Sequence, residues 1–159
     1  MTDGDVIRNL LGRYCELMDA ADWPGVGTLF AAGALADERG RELAWGAAAV
    51  EAFYAAGTHL YDGSPRTKHL VSDTVILPPA ADGTVTARSS YLVLQAVDGL
   101  PLQPIITGRY VDTFAPGPGG GGGGGGGDGG GGDDGWHFVE RRFLVDLVGD
   151  LSRHLRYAL

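Results

Sequence analysis

The sequence predicts an α+β fold, a curved antiparallel sheet with helices packed on one face. Three observations carry the prediction. Apolar residues recur at helical spacing through the first third of the chain. From residue 67 onward the periodicity changes to two, in long runs separated by turn residues. Those runs are apolar on both faces, since Leu92, Leu94, Val111 and Phe143 recur where polar residues would otherwise stand. A sheet covered on both sides fits, with helices on one side and room for another subunit on the other.

In "DVIRNLLGRYCELMDAADW" the residues Ile7, Leu10, Leu11, Tyr14, Leu17 and Met18 form one stripe of a helix that ends near Ala20–Ala21. Asp3 or Asp5 is its expected N-cap. Asp22 is expected to cap a second, short helix, with Pro24 in the first turn and Val26, Leu29 and Phe30 facing inward. Two short runs follow, joined by a turn at Arg39-Gly40. A third helix is expected over "GAAAVEAFYAAGTHLY", with Val50, Phe53 and Tyr54 on its core face. In the strand "TKHLVSDTVIL" one face carries Thr67, His69, Val71, Asp73 and Val75. After a turn from Pro78-Pro79 to Gly83, "TVTARSSYLVLQAV" places Ala87, Ser89, Tyr91 and Val93 on one face. "LQPIITGRYVDTF" and "WHFVERRFLVDLV" read as two further strands.

Between these last two lies "PGPGGGGGGGGGDGGGGDDG", residues 116–135, which holds 15 of the chain's 28 glycines. A phosphate-binding loop has glycines at set positions and leads into a helix. This run is unpatterned, lacks a Lys-Ser/Thr pair and leads into a strand. Nor does it link two domains, because only 24 residues follow Gly135, too few for a second core. The expectation is one domain spanning 1–159, with 116–135 a disordered hairpin-loop insertion. Loop closure costs only roughly 0.6 kcal/mol per doubling of length, so such an insertion is tolerable.

Composition narrows the function. The chain of 159 residues carries 20 acidic against 12 basic side chains, a formal charge of -8. An acidic chain without a basic stripe argues against nucleic acid and anionic membranes as partners. Cys15 is the sole cysteine, which excludes a disulfide framework and a thiolate metal cluster. It sits on or beside the helical stripe as a small buried residue. The start "MTDGDVIRNL" is unlike a signal peptide, so the expected location is the cytoplasm.

Two side chains stand out as chemistry. Asp19 occupies the last turn of the first helix, where a carboxylate meets the negative end of the helix dipole. Such a placement calls for a local partner or a use; an exposed carboxylate, or one bonding the Asp22 turn, is the plainer alternative. His69 lies among apolar neighbours on its strand face, either as a satisfied core histidine or as a base. His59, His137 and His154 are scattered, without the spacing of a zinc site, so no metal or other cofactor is expected. No G-x-S-x-G is present for serine-hydrolase chemistry. Arg109 and Asp112, with Arg141 and Arg142, read as cross-strand ion pairs.

Four blocks, "RYCELMDAADWPGVGTLFA", "SPRTKHLVSD", "ITGRYVDTF" and "GWHFVERRFLVDLVGDLSRHL", resemble the SnoaL-like branch of the NTF2-like superfamily. The resemblance covers the chain apart from the glycine run. It implies a cone, a bent and mostly antiparallel sheet wrapped around the N-terminal helices, with an apolar pocket at the open end. It also implies a homodimer or homotrimer through the outer sheet face. Activities in the superfamily range from isomerases, dehydratases and polyketide cyclases to dioxygenase small subunits and binding modules, so fold alone assigns none. Local similarity is to scytalone dehydratase, whose Asp–His pair matches Asp19 and His69. The implied function is a cofactor-free lyase or isomerase acting on a small cyclic or polyketide-like ketone, with a non-catalytic ligand-binding or assembly subunit as the alternative. Expected around the small apolar or aromatic ligand are Tyr14, Trp23, Tyr54, Ser89, Tyr91 and Tyr110, with an ordinary core role the plainer alternative for each aromatic. Two positions depart from the dehydratase: Met18 replaces a tyrosine, and "TARSSYLVLQ" offers Ser89, Ser90 and Tyr91 in place of a second histidine.

Overall fold

A computed structural model describes residues 1–117 and 135–159. Helix α1 (Asp3–Asp19) presents Ile7, Leu11, Tyr14, Leu17 and Met18 to the interior, the stripe its spacing predicts. Its N-cap is Thr2 rather than Asp3 or Asp5. The Thr2 hydroxyl accepts from the Asp5 N–H while the Asp5 carboxylate accepts from the Thr2 N–H at 2.9 Å, so one pairing satisfies two backbone donors. Helix α2 (Trp23–Leu29) is capped by Asp22, which accepts from the Gly25 N–H at 2.9 Å.

Strands β1 (Ala34–Ala36) and β2 (Glu42–Trp45) form a small hairpin. Its turn is held by Asp37, whose Oδ1 accepts from the backbone N–H groups of Arg39 and Arg41, both at 2.9 Å. Helix α3 (Gly46–Gly57) stops four residues short of Tyr61. The chain beyond it is taken up by the C-terminal segment instead: Thr58 bridges Leu155, and the His59 N–H donates to the His154 carbonyl at 2.8 Å.

Four long strands follow: β3 (Thr67–Ile76), β4 (Val85–Val97), β5 (Leu100–Pro116) and β6 (Trp136–Val148). The six strands make one sheet in the order β2-β1-β6-β5-β4-β3, antiparallel throughout except that β1 runs parallel to β6. Strand β4 alternates as its sequence predicts, with Ala87, Ser89, Tyr91 and Val93 buried on the concave face. Strand β3 does not keep its alternation. A bulge between Ser72 and Val75, with Asp73 at φ 51°, shifts the pleat, so Ile76 packs on the core and Val75 is exposed. The helices fill the concave side, where Ile7, Tyr14, Val26, Phe30 and Val50 meet Ala87, Tyr110, Phe114 and Phe138.

The disorder expected of residues 116–135 concerns positions 118–134, which lie outside the described residues. On either side of them β5 and β6 pair directly, up to Pro116 opposite Trp136. Among the described residues no helix is long and apolar enough to cross a membrane.

Candidate functional site

The end of α1 packs across the start of β3, which sets Asp19 against His69. The carboxylate at the unfavourable end of the helix dipole is compensated by β3. The His69 N–H reaches its two oxygens at 3.1 and 3.0 Å, the Thr67 hydroxyl donates at 3.1 Å, and the His69 Nδ1 lies 2.6 Å from Oδ1. An ionised carboxylate only accepts, so Nδ1 carries the ring proton and Nε2 is left with a free lone pair. Lys68 approaches the other oxygen at 3.8 Å from the exposed side of the strand. The Asp19 side chain is 14% exposed and that of His69 is 6%, so the pair is held largely out of water.

His69 opens onto a cavity of about 830 Å³ in the mouth of the curved sheet. Four of the six aromatic and hydroxyl side chains expected there do line it: Tyr14, Tyr54, Tyr91 and Tyr110. The Tyr14 and Tyr54 hydroxyls share a hydrogen bond of 2.8 Å, and the Tyr91 and Tyr110 rings stack at 4.4 Å. Burial pushes the Tyr91 phenol up to about 12 and drives Tyr14, Tyr54 and Tyr110 upward as well. All four are therefore neutral hydroxyls near pH 7, and the Tyr14–Tyr54 bond takes up the proton of one of that pair. Met18, Phe53, Val93, Ile106 and Phe143 supply apolar wall.

Trp23 and Ser89 do not line the cavity. Trp23 stands behind the wall, its ring stacked on Tyr54 at 6.0 Å, because the start of α2 packs against α3 rather than facing the mouth. Ser89 shares the concave face with Tyr91 but is only 3% exposed, and its hydroxyl has no partner among the described residues.

Beneath the tyrosines lies a buried ion pair. Arg141 on β6 donates from Nε and Nη2 to the two oxygens of Asp112 on β5, both at 2.8 Å. These residues face each other in the strand register, as a cross-strand pair should. The guanidinium carbon sits 4.1 Å from the Tyr14 ring centroid and 3.9 Å from that of Tyr110. Burial works against the charge on Arg141, but Asp112, with the two tyrosines, outweighs it and holds the group well above its usual value. Arg109 makes a separate cross-strand pair with Asp146 at 2.9 Å. Arg142 departs from the expectation: it pairs with Glu140 on its own strand at 2.7 Å.

The sequence also hides part of the wall. The C-terminal segment folds back over the cavity and contributes Leu151, His154, Leu155, Tyr157 and Leu159. His154, which no spacing rule connects to His69, is 7% exposed and its ring centroid lies 6.5 Å from that of His69. Burial, reinforced by His69 and His59, lowers its pKa to about 4 despite the opposing pull of Asp19. The β1–β2 turn adds Asp37, Glu38, Arg39 and Arg41 to the lining. Burial pushes the Cys15 thiol up, in keeping with a packed side chain. Among the described residues no group of three or more His, Cys, Asp or Glu side chains is placed to hold a metal ion.

A family model described as a SnoaL-like domain matches residues 1–142. No curated protein matches the sequence. Three solved structures from Novosphingobium aromaticivorans share the fold. An NTF2-like protein with a cystatin-like fold is 24% identical, with 90% of this chain and 81% of that one covered at a TM-score of 0.64. An inferred scytalone dehydratase is 18% identical, with 94% and 91% covered and a TM-score of 0.62. The β subunit of an inferred aromatic-ring-hydroxylating dioxygenase is also 18% identical, with 90% and 88% covered and a TM-score of 0.60.

Proposed function

The chain belongs to the SnoaL-like domain family, with an NTF2-like fold, and from that premise we propose that it is a cofactor-free lyase or isomerase for a small cyclic or polyketide-like ketone. One observation carries the reading: a carboxylate-oriented imidazole, 2.6 Å from Asp19, set in the wall of a largely apolar cavity of about 830 Å³. In this reading Asp19 holds the His69 proton on Nδ1, and Nε2 removes a proton from a carbon next to the substrate carbonyl. The C–H electron pair moves into the carbonyl to give an enolate. His69 then returns the proton, to another carbon in an isomerisation or to a departing hydroxyl in a dehydration. The likeness to an inferred scytalone dehydratase is in keeping with this chemistry, although at 18% identity it speaks for the fold alone.

The test begins with a panel of aromatic and steroidal ketones, scored by ligand-induced thermal shift. Deuterium exchange at the α-carbon of each ketone that binds is then followed in heavy water. His69→Ala should abolish exchange while changing stability by no more than about 1–2 kcal/mol. Asp19→Asn should slow it by destabilising the productive tautomer. Ketone binding without exchange would instead make the chain a non-catalytic ligand-binding or assembly subunit. Exchange that survives His69→Ala would remove the proposed base.

A further inference from the structure

We propose that His154 is the second proton-handling group of the cavity, donating a hydrogen bond from its neutral ring to the oxygen on which charge develops. The inference rests on the acid–base reading above and gives it the electrophilic half that Asp19 and His69 lack.

Three observations support it. The first is placement. His154 lines the same cavity as His69, with ring centroids 6.5 Å apart and planes inclined at 64°. It lies beyond the residues that the family model matches, 1–142, so family membership assigns it no role.

The second is rigidity. The His154 carbonyl accepts from the His59 N–H at 2.8 Å and its own N–H donates to Leu151 at 2.9 Å. On either side the Arg156 N–H reaches the Gly57 carbonyl at 3.0 Å, and the Arg153 carbonyl accepts from Tyr61 at 2.7 Å and Gln95 at 3.0 Å. A donor useful for charge stabilisation must be fixed before the reaction begins, and this clamp fixes the backbone that carries the ring.

The third is an unmet hydrogen bond. Nδ1 of His154 is buried without a partner among the described residues. A buried N–H without an acceptor is the costlier arrangement, so the ring proton belongs on Nε2, the nitrogen left to serve the cavity. The groups that face this ring are His69, His59 and Asp19; burial, with the two histidines, holds it neutral near pH 7 against the opposing pull of Asp19. A neutral imidazole can polarise a carbonyl without giving up its proton.

The step balances with these two residues. His69 Nε2 forms a bond to the α-proton as the C–H bond breaks. The electron pair becomes the enolate π-bond, and the charge gathered on oxygen is met by the His154 N–H. Nothing is oxidised or reduced, and reversing the transfer restores both rings.

The experiment uses the full chain with two probes, the panel ketone that exchanges fastest and 2-naphthol, a stable mimic of the enolate. His154→Phe should slow exchange about 100-fold, the scale for losing one donor to a developing oxyanion. His154→Gln keeps an N–H and should recover at least tenfold of that loss. Wild type should bind 2-naphthol at least tenfold more tightly than naphthalene, and His154→Phe should erase that preference. A purely structural role would weaken both ligands alike. If His154→Phe leaves exchange and the naphthol preference intact while His69→Ala abolishes exchange, this inference is overturned and the proposed function stands. If wild type exchanges no ketone, the proposed function falls, and naphthol selectivity alone decides whether His154 is a donor.

Discussion

Arg141 is legible in its pairing and not in its burial. Its pairing with Asp112 across the strands follows from sequence alternation, but its complete burial between two tyrosine rings does not. A charge in the core is tolerable only while its partner and the aromatic faces remain. Asp112→Ala would leave a guanidinium stranded in the interior, and we expect a loss of about 3–5 kcal/mol in denaturant unfolding. Replacing both partners by apolar residues of similar size, as in Arg141→Met with Asp112→Leu, should cost less than Asp112→Ala alone. An Asp112→Ala protein as stable as wild type would show that the pair contributes little to holding the floor of the cavity.

At the level of elements, α1 and β4 are the most legible, because each buries one continuous face over several turns or pleats. The Asp19–His69 pair is half legible. A carboxylate in the last turn of a helix signals an unmet need, yet only the packing of α1 on β3 says which strand answers it. Short-range geometry is lost where tertiary contacts overrule local pattern, as at the Asp73 bulge and at the early end of α3. His154 was invisible for the same reason, since it sits in a segment with no periodicity of its own. That segment carries a pH signature. The His154 value of about 4 in the folded chain lies below the ordinary 6.5, so the unfolded chain binds the proton first as the pH falls. Stability from this residue is complete above about pH 6.5, declines toward pH 4 and changes little below that. The loss is about 3 kcal/mol when fully developed. Thermal melts of wild type and His154→Gln should converge as the pH drops through this window. Parallel curves would mean the ring is not buried neutral.

The whole molecule leaves one face of its sheet to be explained. The helices cover the concave side, while across the convex side the register lines up Leu70, Leu92, Thr107 and Leu147 in one row through β3, β4, β5 and β6. Leu70 is 44% exposed and Leu147 is 69% exposed, and Val111, Leu94 and Leu144 flank the row half-buried. Strand β3 is also a free edge of the sheet. A second copy of the chain is the partner we expect here, because a self-complementary interface matches one apolar row with another, with the Arg109–Asp146 pair in the adjoining row. A stable association of this kind buries about 1,200–2,000 Å² in total, which one row with its flanks can approach only if most of the convex face takes part. Light scattering on eluting protein should therefore report a dimer or trimer. Leu70→Glu combined with Leu147→Glu should give a monomer that keeps its near-ultraviolet signal, since neither side chain belongs to the core, but melts at a lower temperature because the stabilisation from association is lost. A wild-type protein that elutes as a monomer at tens of micromolar would leave the doubly apolar strands without this explanation.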